Sequence, residues 1–108
     1  MPLTFRPYEA RDQEAVVTLW KACQLVVPQN DPIADIQTKM QFQPDLFLVA
    51  VSENRLVGTV MAGYEGHRGW INYLAVAPER RRQGIAKTMM VLVEKKLRAL
   101  GCPKINLQ

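Results

Sequence analysis

The stretch Val-Ala-Pro-Glu-Arg-Arg-Arg-Gln-Gly-Ile-Ala-Lys, from Val76 to Lys87, decides how the chain folds. An apolar segment beginning at Trp70 leads into a proline and three successive arginines, and a helical run to Leu100 starts near Gly84. Backbone N–H groups in the first turn of a helix have no partner within the helix, and the helix dipole favours an anion beside them. A strand, a basic glycine-containing turn and a helix N-terminus together predict a phosphate site, which we expect to hold the pyrophosphate of a coenzyme.

Two further strand-like segments precede this stretch. Leu46 to Val51 is a continuous apolar run of strand length, and Leu56 to Tyr64 is expected to return antiparallel to it. Gly58 and Gly63 weaken the second segment and are expected to mark bulges. The segment from Trp70 to Val76 then forms a third consecutive strand. Strict alternation places its residues on two faces, with Trp70, Asn72, Leu74 and Val76 on one and Ile71, Tyr73 and Ala75 on the other.

The first 45 residues predict one strand and two helices. Leu3 to Arg6 alternates as a short strand, and apolar residues recur at helical spacing from a cap at Asp12 until Pro28. Asp31 can cap a second helix with Pro32 at its first position. We expect Pro44 to close that helix, and its apolar stripe to consist of Ile33, Ile36 and Met40. Because both faces of the Trp70–Val76 strand are mostly apolar, helices are expected on each side of the sheet.

The last third of the chain predicts a long helix and one more strand. Met89 to Val93 is apolar almost all round, which indicates heavy burial of the middle of the helix, and Gly101 has the position of a left-handed cap. Lys104 to Gln108 alternates as the beginning of another strand. We therefore expect a single α/β domain over residues 1–108, with a mixed, mainly antiparallel sheet flanked by helices and with its final, C-terminal strands absent.

Composition narrows the function. The formal charge of +4 and the pI of about 9.3 favour an anionic partner, and three of the fourteen basic residues lie in the turn already described. Cys23 and Cys102 lack further metal-ligand spacing, so we expect two reduced thiols and no metal. No segment approaches the roughly 20 apolar residues of a membrane span, and the first 20 residues lack a signal-peptide core. These features predict a cytoplasmic protein without a membrane partner.

The order of these elements resembles that of the GNAT family of acyl-CoA-dependent N-acetyltransferases. The family signature has Gln or Arg, two variable residues, Gly, one variable residue and then Gly or Ala, and Arg81 to Ala86 match it. Leu74 to Pro78, which precedes it, is also typical of the family, and the resemblance extends over the whole chain. It is closest to small bacterial members. The resemblance implies acetyl transfer from acetyl-CoA to an amine of a small molecule or protein.

The resemblance also implies which residues bind the coenzyme. N–H groups of the turn would hold the pyrophosphate, and the backbone of the preceding strand would bind the pantetheine arm. The thioester would lie where that strand separates from the strand at Lys104–Gln108, and the amine would attack it directly. The residues implied for the turn are Arg81, Arg82, Gln83, Gly84, Ile85, Ala86 and Lys87, and those implied for the strand are Leu74, Ala75 and Val76.

The catalytic acid and base stay unassigned. Trp70 occupies the strand position at which some relatives carry a catalytic glutamate, and the helix that commonly supplies a tyrosine acid is absent. His67 could act as a base or contact the acceptor, and Tyr64 and Tyr73 could line the acyl cleft, but an exposed turn or simple packing explains each equally well. The alternative function is a non-catalytic acyl-CoA-binding or regulatory module. A homodimer could complete the sheet, and nucleic-acid binding is disfavoured because the charge is concentrated in one turn.

Overall fold

A five-stranded sheet is the centre of the computed structural model, which describes residues 3–107. Its strands lie side by side in chain order: β1 (Leu3–Pro7), β2 (Phe47–Ser52), β3 (Arg55–Tyr64), β4 (Gly69–Val76) and β5 (Ile105–Leu107). Neighbouring strands are antiparallel except for β4 and β5, which are parallel. The predicted mixed, mainly antiparallel sheet is confirmed. Gln108, at the end of the predicted last strand, lies outside the described residues.

Helices cover both faces of the sheet, as predicted. They are α1 (Gln13–Ala22), α2 (Pro32–Gln41) and α3 (Ile85–Ala99). A Cβ at Gly58 of β3 would lie 2.9 Å from Met89 Cε of α3, whereas the adjacent Thr59 accepts a hydrogen bond from Trp20 Nε1 of α1 at 2.8 Å. Successive strand residues point to opposite faces. The sheet therefore separates α3 from α1 and α2, and the core lies on either side of β3.

The turn before β3 and the cap after α3 follow from local sequence. Glu53 and Asn54 adopt φ values of 53° and 65°, which is the backbone of a tight two-residue hairpin whose twist matches that of the strands. Gly101 has φ of 89°, and the N–H of Cys102 donates to the carbonyl of Leu97 at 3.1 Å, which closes α3 as predicted.

The start and end of α1 differ from the prediction. Asp12 makes no capping bond to α1; its carboxylate accepts hydrogen bonds from the Arg6 guanidinium at 2.8 and 2.9 Å and from the Glu9 N–H at 2.8 Å. The Arg6 contact holds the pKa of Asp12 below its usual value. The helix ends at Ala22, well before Pro28. The Asp12 carboxylate, which was expected to cap α1, instead links β1 to the turn before α1 by hydrogen bonds.

The predicted apolar stripe of α2 is wrong in part. Asp31 caps the helix by accepting from the N–H of Ala34, as expected, but the helix ends at Gln41 and not at Pro44. Ile36 is buried, while Ile33 is 42% and Met40 is 36% exposed. Lys39 is buried in place of the two apolar residues. Helix α2 is therefore rotated so that a lysine faces the sheet.

The buried face of α3 is narrower than the apolar run from Met89 to Val93 predicted. Only residues four apart are fully buried in this helix, while Val91 is 46% exposed. The buried residues are Ile85, Met89, Val93 and Leu97. Because α3 has the sheet on one side and solvent on the other, a single stripe is enough to fix it.

One of the two predicted bulges in β3 is present. Ala50 pairs with Gly58 and Val51 pairs with Leu56, so that Val57 is an extra residue beside Gly58. Gly63 pairs regularly with Trp70, and the prediction of a bulge there is wrong.

Candidate active site

The turn between β4 and α3 presents a row of backbone donors that find no acceptor in the described part of the chain. After a short 3-10 turn at Pro78–Arg80, Arg82 and Gly84 both adopt the left-handed conformation, with φ of 66° and 79°. The first backbone hydrogen bond of α3 runs from the Thr88 N–H to the Gly84 carbonyl at 3.0 Å. Within residues 3–107, the N–H groups of residues 81–87 donate to no acceptor. Such a concave run of N–H groups at a helix start is a site for an anion.

Space for a ligand adjoins these donors. A groove of about 210 Å³ is lined by Val76, Arg80, Arg81, Arg82, Gly84, Ile85, Ala86 and Lys87. A Cβ placed on Gly84 would meet no atom within 4 Å, so this glycine opens the turn to solvent. The groove brings together most of the residues implied for the turn. Gln83 does not line it; its side-chain oxygen accepts a hydrogen bond from Arg80 Nε at 3.0 Å.

The three arginines have different roles in the turn. Arg81 is fixed, since its Nε donates to the Val76 carbonyl at 3.3 Å and its guanidinium lies 3.6 Å from Cys23 Sγ. Arg80 is held by Gln83 and by Ser52 Oγ at 3.3 Å. Arg82 makes no side-chain hydrogen bond with the described part of the chain and is one of the residues that line the groove. Arg80 was missing from the residues that the resemblance implied; the run of three arginines was the signal that could have included it.

A second hollow continues the groove along β4. It measures about 300 Å³ and is lined by Cys23, Leu25, Leu74, Ala75, Val76, Arg81 and Ala86. The two hollows share Val76, Arg81 and Ala86. Strand β5 pairs with β4 only from Gly69 to Ile71, so within the described residues the Leu74–Val76 edge has no strand beside it on that side. Apart from Gln83, the predicted strand and turn residues therefore line one continuous surface.

Strand β4 is bent where this surface begins. Thr59 pairs with Ala75 but Met61 pairs with Asn72, so β4 contains one residue more than β3 at this point. Tyr73 takes φ of 50°, an uncommon conformation for a bulky residue. The predicted alternation of β4 is consequently wrong, because Asn72 and Tyr73 line the same cleft.

A buried hydrogen-bonded chain fixes this bulge. Trp20 Nε1 donates to Thr59 Oγ1 at 2.8 Å, and Thr59 Oγ1 donates to the Tyr73 carbonyl at 2.8 Å. The Trp20 and Tyr73 rings stack with centroids 3.8 Å apart. Trp20 and Thr59 are fully buried. The sequence pattern identified Trp20 only as packing, because its partner lies 39 residues away.

On the α2 face of the sheet, the bulge opens into a separate cleft of about 340 Å³. It is lined by Asp35, Thr38, Lys39, Phe42, Met61, Ala62, Gly63, Trp70, Asn72 and Tyr73. The Tyr73 hydroxyl donates to Asp35 at 2.6 Å and accepts from Asn30 Nδ2 at 2.7 Å. Burial, together with the hydrogen bond to Asp35, raises the pKa of Tyr73 to about 12. This phenol therefore stays protonated at neutral pH and is too weak an acid to protonate a thiolate readily.

The other candidate side chains lie elsewhere. Tyr64 is at the opposite end of β3, where its hydroxyl donates to the Gly101 carbonyl at 3.3 Å. His67 is exposed in the turn before β4, and its backbone N–H donates to Glu65. A larger hollow of about 570 Å³ lies between α1 and the β2–β3 turn. Its two lining arginines, Arg11 and Arg55, are already paired with carboxylates, so their charges are compensated.

Residues 3–107 contain neither a metal cluster nor a membrane-spanning helix. In that range, no three His, Cys, Asp or Glu side chains are grouped so that they could hold an ion. None of the helices there has the length and hydropathy of a membrane-spanning segment.

Related proteins share both the sequence and the fold. Residues 13–108 match the profile of the acetyltransferase (GNAT) family. The chain is 50% identical over 105 residues to an acetyltransferase of Pectobacterium atrosepticum, covering 97% of this chain and 74% of that protein. An acetyltransferase of Sodalis glossinidius gives the same identity and coverage.

Solved structures show the same architecture at lower identity. The NatC complex bound to Gag peptide and CoA contains a chain with a TM-score of 0.81 and 24% identity, covering 99% of this chain and 74% of that one. A predicted acetyltransferase from Clostridium acetobutylicum, solved with acetyl-CoA, gives a TM-score of 0.79 and 17% identity, covering 99% and 80%. The profile and the half-identical relatives, together with this common fold, show that the chain belongs to the acetyltransferase (GNAT) family.

Proposed function

We propose that the protein transfers an acetyl group from acetyl-CoA to the amine of an acceptor. The observation that carries this proposal is one continuous surface. It is formed by the N–H groups of residues 81–87 and the edge of β4 at Leu74–Val76, neither of which has a backbone partner among residues 3–107 on that side. An acetyltransferase needs a place for the phosphates and a place for an extended arm ending at the reacting carbonyl. Membership of the family supports acetyl transfer, and the amine as acceptor is our inference.

The turn fits a pyrophosphate. Its donors have no other partner among the described residues, Gly84 leaves the approach open, and Arg82 adds a positive charge at the rim. Backbone N–H groups bind phosphate oxygens without the flexibility of long side chains. We assign Arg81, Arg82, Gly84, Ile85, Ala86 and Lys87 to the phosphates, with Gln83 acting through its backbone N–H and its contact to Arg80.

The edge of β4 fits the arm of the coenzyme. Leu74, Ala75 and Val76 lie where a parallel strand would continue, and an extended amide chain can occupy that position by main-chain hydrogen bonding. At the bulge, β4 turns away from its partner, and a backbone N–H freed there could bind the thioester carbonyl. Acetyl-CoA supplies the activated acyl group; the chain's contribution is to position it against the amine.

Calorimetric titration with acetyl-CoA tests the coenzyme site. We expect the native chain to bind and Gly84→Glu to bind at least about tenfold more weakly, because a carboxylate would stand where the phosphates bind. Gly66→Glu is the matched control: Gly66 also has positive φ, 97°, and a Cβ added there would also meet no atom within 4 Å, but it lies in the β3–β4 turn. Both variants place a non-glycine residue at a positive φ, which costs about 1–2 kcal/mol at each position.

The two glycine variants separate a specific site from a loss of folding. If Gly66→Glu binds normally and Gly84→Glu does not, the phosphate assignment is supported. Equal binding by the two variants, or no binding by a folded native chain, would overturn it. The same samples incubated with amines then distinguish an enzyme from the alternative of an acyl-CoA-binding module, since only an enzyme releases CoA thiol in an acceptor-dependent manner.

A further inference from the structure

Lys39 is a mostly buried residue whose ammonium keeps access to solvent and has no hydrogen-bond or ion-pair partner inside the described part of the protein. Its side chain is on α2 and the residue is 9% exposed, yet its ammonium takes part in no hydrogen bond or ion pair there. Burial lowers its pKa, and the charge of Asp45 opposes that change. A Cβ on Gly63 would lie 3.2 Å from Lys39 Nζ, so the glycine makes room for the ammonium beside β3. Because this ammonium lies at a cleft and forms no ion pair with the described residues, an anionic group of a ligand in the cleft could bind it by a charge-assisted hydrogen bond.

The acidic residue best placed to neutralise Lys39 is engaged elsewhere. Asp35 precedes it by four positions on α2, the spacing that favours a helical ion pair. The Asp35 carboxylate instead accepts the Tyr73 hydroxyl at 2.6 Å, and no ion pair joins it to Lys39. Helix α2 thus presents a carboxylate and an ammonium separately to the same cleft.

Apolar side chains line much of the rest of the cleft, which reaches the bulge. Phe42 is 56% exposed and its ring centroid lies 5.9 Å from Lys39 Nζ. Met61 and Trp70 line the wall on the β3 and β4 side, and Asn72 lies next to Tyr73 at the bulge. A ligand in this cleft therefore meets a positive charge, an apolar wall, and then the carboxylate and amide of Asp35 and Asn72.

We propose that this cleft binds an acceptor with a carboxylate close to its amine, an amino acid or a compound of that type. Lys39 would bind the acceptor carboxylate, and Asp35 and Asn72 would hold the amine beside the bulge. This inference rests on the proposed acetyl transfer. In that step the unprotonated amine forms a C–N bond to the acetyl carbon while the C–S bond breaks. The nitrogen loses one proton, and the departing sulfur gains one to become the thiol of CoA. Polyamines have no carboxylate, and their positive charges would be repelled by the Lys39 ammonium.

Matched acceptors test the inference directly. The twenty amino acids and their C-terminal amides carry the same side chains and differ in the carboxylate. We measure CoA thiol release and expect kcat/KM for the best amino acid to exceed that for its amide by at least about tenfold, as for a desolvated charge pair. The amide has the less basic amine and hence more of the reactive free form at neutral pH, so a preference for the acid cannot arise from amine reactivity.

Lys39→Met removes the ammonium and keeps an unbranched apolar side chain. We expect the acid-to-amide ratio of kcat/KM to fall at least about tenfold in this variant, because KM for the acid rises. Its kcat/KM for the amide should equal that of the native chain. Lys39→Arg should retain part of the preference. Lys95→Met, at an exposed position of α3 on the other face of the sheet, controls for net charge and should behave as native. A Lys39→Met variant that keeps the acid-to-amide ratio would overturn the inference.

Failure of this inference can be told from failure of the proposed function. Amino acids are also titrated calorimetrically into the CoA-loaded protein. Release of CoA thiol without any preference for the acid overturns the acceptor assignment and leaves acetyl transfer standing. Binding of an amino acid that depends on Lys39, without release of CoA thiol, supports the assignment of the cleft and overturns catalysis by this chain.

Discussion

Thr59 is the residue on which the shape of β4 depends. It is fully buried, and its hydroxyl links the indole N–H of Trp20 to the carbonyl of Tyr73. A buried polar group that loses its partner costs the full desolvation of that group. Thr59 therefore couples helix α1 to the strand that carries the candidate thioester site.

Replacing Thr59 by Val keeps the side-chain shape and leaves the Trp20 N–H and the Tyr73 carbonyl without that partner. We expect the free energy of unfolding to fall by about 1–3 kcal/mol. Urea titration followed by tryptophan fluorescence measures this loss. Thr18→Val, at an exposed position of α1, should change stability by no more than about 0.5 kcal/mol. Equal effects at the two positions would contradict the role of the buried hydroxyl.

The Tyr73 phenol predicts a loss of stability in alkali. Its pKa is raised from 10.0 to about 12 by burial and by the Asp35 carboxylate. In the unfolded chain the phenol ionises at its ordinary pKa. The protonated Tyr73 therefore adds its full contribution to the free energy of unfolding below pH 10, and that contribution is lost as the pH rises from about 10 to about 12. Urea unfolding measured at pH 9 and at pH 11 should show that the free energy of unfolding falls less between these pH values for Tyr73→Phe than for the native chain. An equal decrease in both would show that another group is responsible.

At the scale of elements, Gly58 sets the distance between β3 and the start of α3. A Cβ there would lie 3.2 Å from Ile85 Cγ2 and 3.3 Å from the Ala75 carbonyl oxygen, besides the flexible end of Met89. The first turn of α3 contains the last three of the assigned phosphate donors, the N–H groups of Ile85, Ala86 and Lys87. The close approach that Gly58 permits therefore positions the candidate site as well as the core.

Gly58→Ala should lower the free energy of unfolding by about 1–3 kcal/mol through overpacking, and it should also weaken acetyl-CoA binding by displacing Ile85. Gly69→Ala is the comparison, since a Cβ there would meet Cys102 Sγ at 2.7 Å and Leu97 at 3.2 Å, near the other end of α3. We expect Gly69→Ala to destabilise the protein without changing the affinity for acetyl-CoA. Urea unfolding and calorimetry on both variants measure the two effects, and equal losses of affinity would argue against the positioning role of Gly58.

Elements that depend on neighbouring residues were predictable, and those that depend on distant contacts were not. The arginine-rich turn, the Asp31 cap and the Gly101 cap use side chains and backbone within a few positions, so their sequence signals were sufficient. The bulge at Tyr73 depends on Thr59, 14 residues earlier, and strict alternation could not reveal it. The burial of Lys39 was missed because a lysine four positions after an aspartate on a helix ordinarily indicates a solvated face.

For the whole molecule, the sheet places the candidate coenzyme surface and the α2 cleft next to each other along β4. The resemblance predicted the residues of the first but gave no acceptor residue, since acceptor recognition depends on side chains that the fold does not determine. The order of elements was recoverable from the chain because every strand neighbours its predecessor in the sequence of strands. The assignments of Leu74–Val76 and residues 81–87 to acetyl-CoA stay predictions until the binding experiments are made.

The two surfaces differ in how they would respond to change. The turn at residues 81–87 offers mainly backbone N–H groups, which survive most side-chain substitutions, whereas the α2 cleft is built from side chains, and the linings of the two have no residue in common. Substitutions on α2 would therefore alter acceptor choice while leaving the donor site intact. A lineage could exchange one acceptor for another in single steps without passing through a form unable to hold its coenzyme.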